Sequence, residues 1–407
     1  MEGAGALAPV RKARALIVIH YFPPHIGGME EVAVAQAASL ARRGHPVTVL
    51  TCGHARGLPR REESDGCTVR RIRAVNFIER RFGVTFPVIG VGGVLRVLRE
   101  VRRADIVHVH DVFYPTSHAT VLAARVLRRR YFMTQHVAMV EHPSRLVMAV
   151  QRFIYATVGA WALRRAERVV VYNAIVRGFV ASLGVAGDRI VQNHNGIDTD
   201  RYAPAAETAA KAALRASYGL PPDRPVALFV GRLVPKKGFD LVMEAGCDEW
   251  TTLVVGDGAA APLPPRPDVV LFGPADRQQL VDLYRLSDVF VFPAAGEIFT
   301  LVMQEAMASG LPVVTTDDPA YGEYGLDRSR IGFVERRPDA IRDAVRAVVT
   351  SPERAAAMGA YSRSVALERF SWERNYPTEY SVYPAVPPAG VAEPGTGEAD
   401  LVANLAG

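Results

Sequence analysis

One local grammar is written twice in this 407-residue chain. Near the start, the β-branched run Ala15–Ile19 passes through the turn Tyr21-Phe22-Pro23-Pro24-His25-Ile26-Gly27-Gly28 into a helical pattern over Met29–Arg43. Gly44 stops that helix, and Val47–Thr51 follows as a second strand. In the middle, Val226–Val230 passes through the basic glycine loop Gly231–Gly238 into a helical pattern over Phe239–Ala245, and Thr252–Val255 then runs into Gly256-Asp257-Gly258. Short apolar strands alternating with helices indicate a parallel sheet with crossover helices. A glycine turn at a strand's carboxyl end lets backbone approach a ligand closely. Two copies predict two Rossmann-like, doubly wound α/β halves, and the usual ~150 residues per domain agrees with two or three domains. Neither turn carries GxGxxG, so the dinucleotide fingerprint is absent.

The first half continues in the same style. Val69–Ile72, Asp105–Val109, Tyr131–Thr134, Arg168–Tyr172 and Ile190–Val191 read as strands; Gly90–Arg103, Ser117–Arg130 and Ile175–Leu183 read as helices. The third strand ends in His108-Val109-His110-Asp111, where the period of two puts both histidines on one face. The fourth ends at Gln135-His136, just past a strand end, where parallel sheets bind ligands. Leu146–Leu163 is a long apolar helical segment, read as a buried domain helix in preference to one lying on a membrane interface. Pro204–Lys211 loosens into an alanine-rich connector and sets the domain boundary at 204/205. Residues 1–13 are expected to be a disordered leader and 384–407 a disordered Pro/Gly/Ala-rich tail.

In the second half, Val269–Phe272 reads as a strand ending at Gly273, and Gln279–Leu286 as a helix. The densest stretch runs from Asp288 to Thr316. Val289–Phe292 is a buried strand, Ala294-Ala295-Gly296 a small-residue loop, Phe299–Ser309 a helix stopped by Gly310, and Leu311–Thr315 another strand. Glu297 and Glu305 bracket the start of that helix, and eight positions span roughly 12 Å. That is about the reach from a ribose across a diphosphate to a sugar. The helix N-terminus between them offers free N–H groups suited to phosphate. Arg232 and Lys237 flank the Gly231–Gly238 loop and are suited to neutralising a diphosphate.

Composition narrows the setting. Three scattered cysteines, Cys52, Cys67 and Cys247, suggest neither a disulfide framework nor a zinc site and fit a reducing cytoplasm. No signal-peptide design and no run of eighteen uncharged apolar residues is present, so a spanning helix is not expected. Residues 1–200 hold 28 Lys+Arg against 15 Asp+Glu, leaving 20 against 27 for the remainder. Such a basic half can meet an anionic membrane, nucleic acid or a phosphorylated acceptor, although only four of the 48 cations are lysine, which also marks an arginine-rich compositional bias.

Taken together, FPPHIGGMEE, NGID, GRLVPKKGFD, VVGDG and EIFTLVMQEAMASGLPVV resemble the retaining, nucleotide-sugar-dependent glycosyltransferases of family 4, in family order from about residue 14 to 380. The resemblance implies a GT-B fold: an N-terminal acceptor domain (14–204) and a C-terminal nucleotide-sugar domain (205–368) facing across a cleft. A last helix (369–383) would cross back to the first domain. It implies catalytic roles for Arg232, Lys237, Glu297 and His136. Donor contacts would come from Gly27, Gly28, Arg232, Lys237, Gly273, Glu297, Phe299, Thr300, Leu301 and Glu305, with Glu305 on the ribose and Glu297 on the transferred sugar. His110, Asp111 and His136 would lie on the acceptor side. No cofactor or metal is implied, because the two cations do a metal's work on the leaving phosphate, which itself serves as base. The expected partners are a UDP-sugar rather than a GDP-sugar, an acceptor sugar, lipid or natural product, and a peripheral contact with the inner membrane face, with no nucleic acid.

Ile298 and Thr300 stand where relatives commonly carry glycine, which points to altered sugar fit. Two other readings share the design. A UDP-sugar 2-epimerase-like isomerase is disfavoured by the paired glutamates. A catalytically silent nucleotide-sugar-binding module is disfavoured by the intact cations.

Overall fold

The computed structural model describes residues 12–375 apart from 26, 83, 140, 141, 143, 206, 207, 259–265, 296–299, 318 and 373. These divide into two compact units. One holds the described residues up to Val171 together with Val176–Val191; the other holds Tyr172–Ile175 and the described residues from Gln192 on. The division thus falls ahead of the connector at 204.

The first unit is built on a sheet of eight strands: β1 (Ala15–Val18), β2 (Val47–Cys52), β3 (Arg61–Ser64), β4 (Cys67–Ile72), β7 (Ile106–His110), β8 (Tyr131–Gln135), β9 (Val169–Val171) and β10 (Ile190–Gln192). Strands β5 (Ala74–Val75) and β6 (Val88–Ile89) form a small separate ribbon. The sheet order is β10-β9-β8-β7-β1-β2-β4-β3, so the winding reverses between β1 and β7. Ala15, Ile17 and Ile19 pack with Ala33, Ala37 and Leu40 of the helix Gly28–Arg42, whereas Leu16 and Val18 pack with Val97, Val101 and Val121 on the other face. Burial on both faces is what makes these strands continuously apolar. The edge hairpin β3–β4 is antiparallel and was not anticipated; its charged outer strand Arg61–Ser64 lacks an apolar run.

The second unit has the order β13-β12-β11-β14-β15-β16 from strands β11 (Val226–Val230), β12 (Thr251–Val255), β13 (Val269–Gly273), β14 (Val289–Phe292), β15 (Val313–Thr316) and β16 (Gly332–Val334). Its pairings are parallel, and the reversal lies between β11 and β14. This is the doubly wound arrangement, whose ligands bind off the carboxyl ends at the switch point.

Four expectations need correction. Ala13 is not part of a disordered leader: it is buried with Ile106 and Phe132. The alanine-rich stretch after Pro204 is a helix, Thr208–Ser217, because alanine is the strongest helix former. It is pinned by Lys211 Nζ to Asp288 at 2.7 Å and by an Arg215–Asp288 ion pair. The segment read as a buried domain helix runs Arg145–Arg165 with a π turn at Tyr155–Gly159, and only about a third of it is buried (33%). Leu146, Val150 and Phe153 form an exposed apolar stripe. By length and composition alone this helix is also long and apolar enough to cross a membrane, contrary to the expectation that no such segment is present. The leader 1–11, residues 376–383 of the expected last helix and the 384–407 tail lie outside the described residues.

At the carboxyl edge of the second sheet, Gly231, Gly256 and Gly273 follow neighbouring strands with φ of 159°, 143° and 81°. Gly231 N–H donates to Val255 O (3.0 Å) and Gly256 N–H to Gly273 O (2.9 Å). A Cβ on Gly256 would sit 1.9 Å from Gly231 O. Gly256→Ala should therefore destabilise by about 2–5 kcal/mol, combining positive-φ strain with overpacking. A melting temperature within 2 °C of the parent (about 1 kcal/mol or less) in a thermal scan would contradict this packing.

Candidate active site

In the second unit, the loop after β11 is held in a defined shape. Leu233 N–H donates to Asp257 O (2.9 Å), Ala295 N–H to Lys236 O (3.0 Å), and Gly238 adopts φ 76° where a Cβ would meet Pro293 O at 2.4 Å. Arg336, which the sequence did not single out, joins the loops after β11 and β14. Its Nε donates to Pro293 O (3.1 Å) and its terminal nitrogen to Pro235 O. Lys237 Nζ lies 5.5 Å from the centre of the Phe292 ring. Arg232 is exposed, and among the described residues no hydrogen bond or ion pair engages its guanidinium.

The helix following the β14 loop is Leu301–Ala308, with Thr300 as N-cap and no side-chain cap. Thr300 Oγ1 is buried and unpartnered among the described residues. Glu305 faces inward, only 8% exposed, and accepts a 2.9 Å hydrogen bond from Tyr284 Oη. Tyr284 is the second missed residue; an interior tyrosine in an apolar helix looks like packing until its partner is seen. Glu297 and Phe299 lie outside the described residues, whereas Gly273 and Leu301 sit at the carboxyl edge and at the helix start.

In the first unit, strand β7 and the loops after β1 and β8 bring together five histidines. Gly27 precedes the helix Gly28–Arg42 in extended conformation, and Glu30 folds back so far that a Cβ on Gly27 would lie 2.3 Å from its Oε2. Glu30 pairs with His25 (2.7 Å) and approaches His20 (3.5 Å). Burial alone would raise its carboxyl, but the His25 hydrogen bond and the neighbouring imidazole of His20 bring it below the ordinary value. His20 stacks on Tyr114 at 3.9 Å. His108 and His110 do share a face, with ring centres 5.1 Å apart. His110 and Asp111, expected on the acceptor side, are instead closed off from solvent at 0% and 1% exposure. His110 is bonded to Gln36 Oε1 and His136 Nε2, both at 2.8 Å, and Asp111 to the Phe113 N–H (2.9 Å) and Gln135 Nε2 (3.1 Å). The helix Gly28–Arg42 covers this end of β7, so only His136 of the three is partly exposed.

These observations match what is known of other chains. The description "Glycosyltransferase Family 4" fits residues 26–201, and "Glycosyl transferases group 1" fits residues 210–365. A GDP-mannose-dependent alpha-mannosyltransferase of Mycobacterium tuberculosis is 30% identical over 313 residues, spanning 75% of this chain and 79% of that protein. The chain belongs to glycosyltransferase family 4. A second relative of this family 4 enzyme, the D-inositol 3-phosphate glycosyltransferase of Streptomyces scabiei, is 29% identical over 423 residues, covering 94% of each. Among solved structures, Anabaena HepE in complex with UDP-glucose aligns with a TM-score of 0.68 at 15% identity, over 91% of this chain and 99% of that one. The fold is thus GT-B, as the motifs implied.

The histidine cluster makes the glycosyltransferase acid-sensitive. Burial pushes His20 down to about 4 and His108 and His136 to about 3, and places His110 well below its ordinary value. Burial raises Asp111 to about 6. These histidines are neutral when folded and take up protons near pH 6.5 when unfolded, so their stability is fully present above 6.5 and declines below it. Each contributes a slope of about 1.4 kcal/mol per pH unit. Asp111 binds its proton earlier in the folded state and offsets one of the four. From pH 6 to 4.5, unfolding free energy should fall by about 4 kcal/mol per unit; a flat denaturation series over that range would contradict it.

Proposed function

We propose that this glycosyltransferase transfers a hexose or N-acetylhexosamine, with retention of anomeric configuration, from a nucleoside-diphosphate sugar to an acceptor hydroxyl. The observation that carries the reading is the convergence, at the switch point of the second sheet, of Arg232, Lys237, the open N-terminus of Leu301–Ala308 and the Tyr284-braced Glu305. Arg232 and Lys237 neutralise the charge that develops on the departing diphosphate, and the N–H groups at Leu301 meet the same phosphate. Glu305, with one oxygen held by Tyr284, accepts from ribose hydroxyls. Glu297 is assigned to the transferred sugar and Gly273 to the base. Gly27 and Gly28 are assigned to the donor and His136 to the sugar on the first unit. The departing phosphate takes the acceptor proton, and no metal is assigned. The donor is read as a UDP-sugar, and the mycobacterial relative named as GDP-mannose-dependent sets the arm against which that is tested.

The acceptor is read as lipid-linked and met at the inner face of a membrane. The helix Val91–Arg103 exposes Val91, Val94, Leu95 and Leu98 at helical spacing. Beside them, the buried carboxylate of Glu100 lies 3.5–4.0 Å from Arg70, Arg96, Arg99 and Arg103. One carboxylate against four guanidiniums leaves an excess of positive charge next to an exposed apolar stripe, the chemistry of an interfacial helix. A soluble phosphorylated acceptor is the second reading, favoured by the relative named for inositol 3-phosphate.

Arg232→Ala and Lys237→Ala should each lower kcat about 10²- to 10³-fold on the preferred donor in a panel of UDP- and GDP-sugars, with the fold intact. Unchanged turnover would remove the donor-site assignment. At low salt the chain should sediment with phosphatidylglycerol vesicles and not with phosphatidylcholine vesicles, and Leu95→Glu with Arg99→Glu should weaken this roughly tenfold or more. Absence of binding to the anionic vesicles would leave the soluble acceptor as the reading.

A further inference from the structure

Strand order in the first unit fixes which helices share a face of its sheet. From β7 the sheet runs to β8 and β9 in chain order, whereas β1 steps the other way to β2. Right-handed crossovers then put the connecting helices on opposite faces. The packing agrees. Val101 of Val91–Arg103, Val121 of Pro115–Val126, and Tyr155 and Leu163 of Arg145–Arg165 share one core with Leu16 and Val18. The helix Gly28–Arg42 packs on the other side.

The outer sides of the three helices on the first of these faces are apolar and cationic together. Besides the stripe already described on Val91–Arg103, Leu122 and Val126 are exposed on the second helix, and Leu146, Val150, Phe153 and Val158 on the third. Leu146 and Phe153 are 67% and 68% exposed. Leu146, Val150 and Phe153 follow one another at helical spacing, and the exposed Arg145 and Arg152 flank them. The three helices carry nine arginines and a single carboxylate, Glu100, which is buried. Exposed apolar side chains recurring over three adjacent helices mark a contact surface.

Charge selects the partner. A second copy of this chain would set arginines against arginines with no exposed carboxylate on these helices to answer them. A nucleic acid would neutralise the arginines and leave the apolar side chains unmatched. An anionic bilayer answers both, with phosphates for the guanidiniums and acyl chains for the stripes. Nor can Arg145–Arg165 leave the fold to span that bilayer without opening the core. Its opposite side, at Tyr155, Gly159, Ala160 and Leu163, is buried, and a Cβ on Gly159 would lie 3.5 Å from Val112 Cγ1.

We propose that the first unit lies on an anionic bilayer by this whole three-helix face, with Leu146, Val150 and Phe153 entering the boundary between headgroups and acyl chains. Docking in this way rests on the membrane reading of Val91–Arg103 and extends it. The sheet face, rather than one helix, is the contact surface, and part of the contact is apolar and escapes screening by salt.

The test uses the full chain with vesicles of phosphatidylglycerol or phosphatidylcholine. Leu146→Glu with Phe153→Glu, both at exposed positions, should keep the parent's melting temperature and lower partitioning onto phosphatidylglycerol roughly tenfold or more. In Phe153→Trp, bromine on the phosphatidylglycerol acyl chains should quench emission beyond that of the parent, whose tryptophans are Trp161, Trp250 and Trp372. Arg42→Trp, exposed on the helix of the other sheet face, should show no added quenching. A parent that ignores phosphatidylglycerol removes the reading of Val91–Arg103 and this inference with it. If Leu95→Glu with Arg99→Glu releases the chain while Leu146→Glu with Phe153→Glu binds like the parent and Phe153→Trp is not quenched, the earlier reading stands and this inference is overturned. It is overturned too if Leu146→Glu with Phe153→Glu turns a dimer into a monomer in sedimentation velocity without altering lipid binding, which would assign the face to a second copy. A parent that alkaline carbonate cannot extract from membranes overturns it in favour of a spanning helix.

Discussion

Where a parallel strand stops, its last backbone groups lose the neighbour that paired them, and both sheets of this protein solve that problem at their working edge. In the second unit the solution is glycine. Gly231 and Gly256 turn back so that each N–H reaches the carbonyl of the next strand, and Gly256 meets Gly273. The row that results has no side chains to keep a phosphate away from backbone. In the first unit the solution is polar side chains: Thr51 Oγ1 donates to His20 O, Gln135 Oε1 accepts from Val112 N–H and Asp111 accepts from Phe113 N–H, while Gln36, Thr134 and the histidines bond one another beside them. One edge is therefore lined by glycines and the other is crowded with titratable groups.

Much of this was legible in the chain. Residues with strong local chemistry announced themselves: β-branched runs gave the strands, Gly44 and Gly310 stopped helices with φ of 82° and 73°, and alternation placed His108 and His110 on one face. What stayed hidden was pairing between distant residues. Tyr284 and Glu305, Arg336 and the two prolyl carbonyls, and Gln36 and His110 are each unremarkable at their own positions. Sequence periodicity reports which face is apolar but not whether another element covers it. That is why Leu146, Val150 and Phe153 were read as core although they face outward.

The arginine excess divides in the same way. Several guanidiniums are structural: Arg215, Arg266, Arg342 and Arg363 donate to backbone carbonyls. Those around Glu100 exceed what one carboxylate can neutralise, and they adjoin an exposed apolar stripe. Net charge alone cannot separate these two uses; position in the fold does.

Arg336 has a consequence of its own. Proline lacks an N–H, so Pro235 and Pro293 bring carbonyls to the loops without donors to match, and one guanidinium with five donors and no acceptor serves both. Two loops that leave different strands are thereby tied through a single side chain. On the proposed reading of these loops as the donor site, they are already shaped, so little ordering entropy remains to be lost on binding and more of the contact energy is left for affinity.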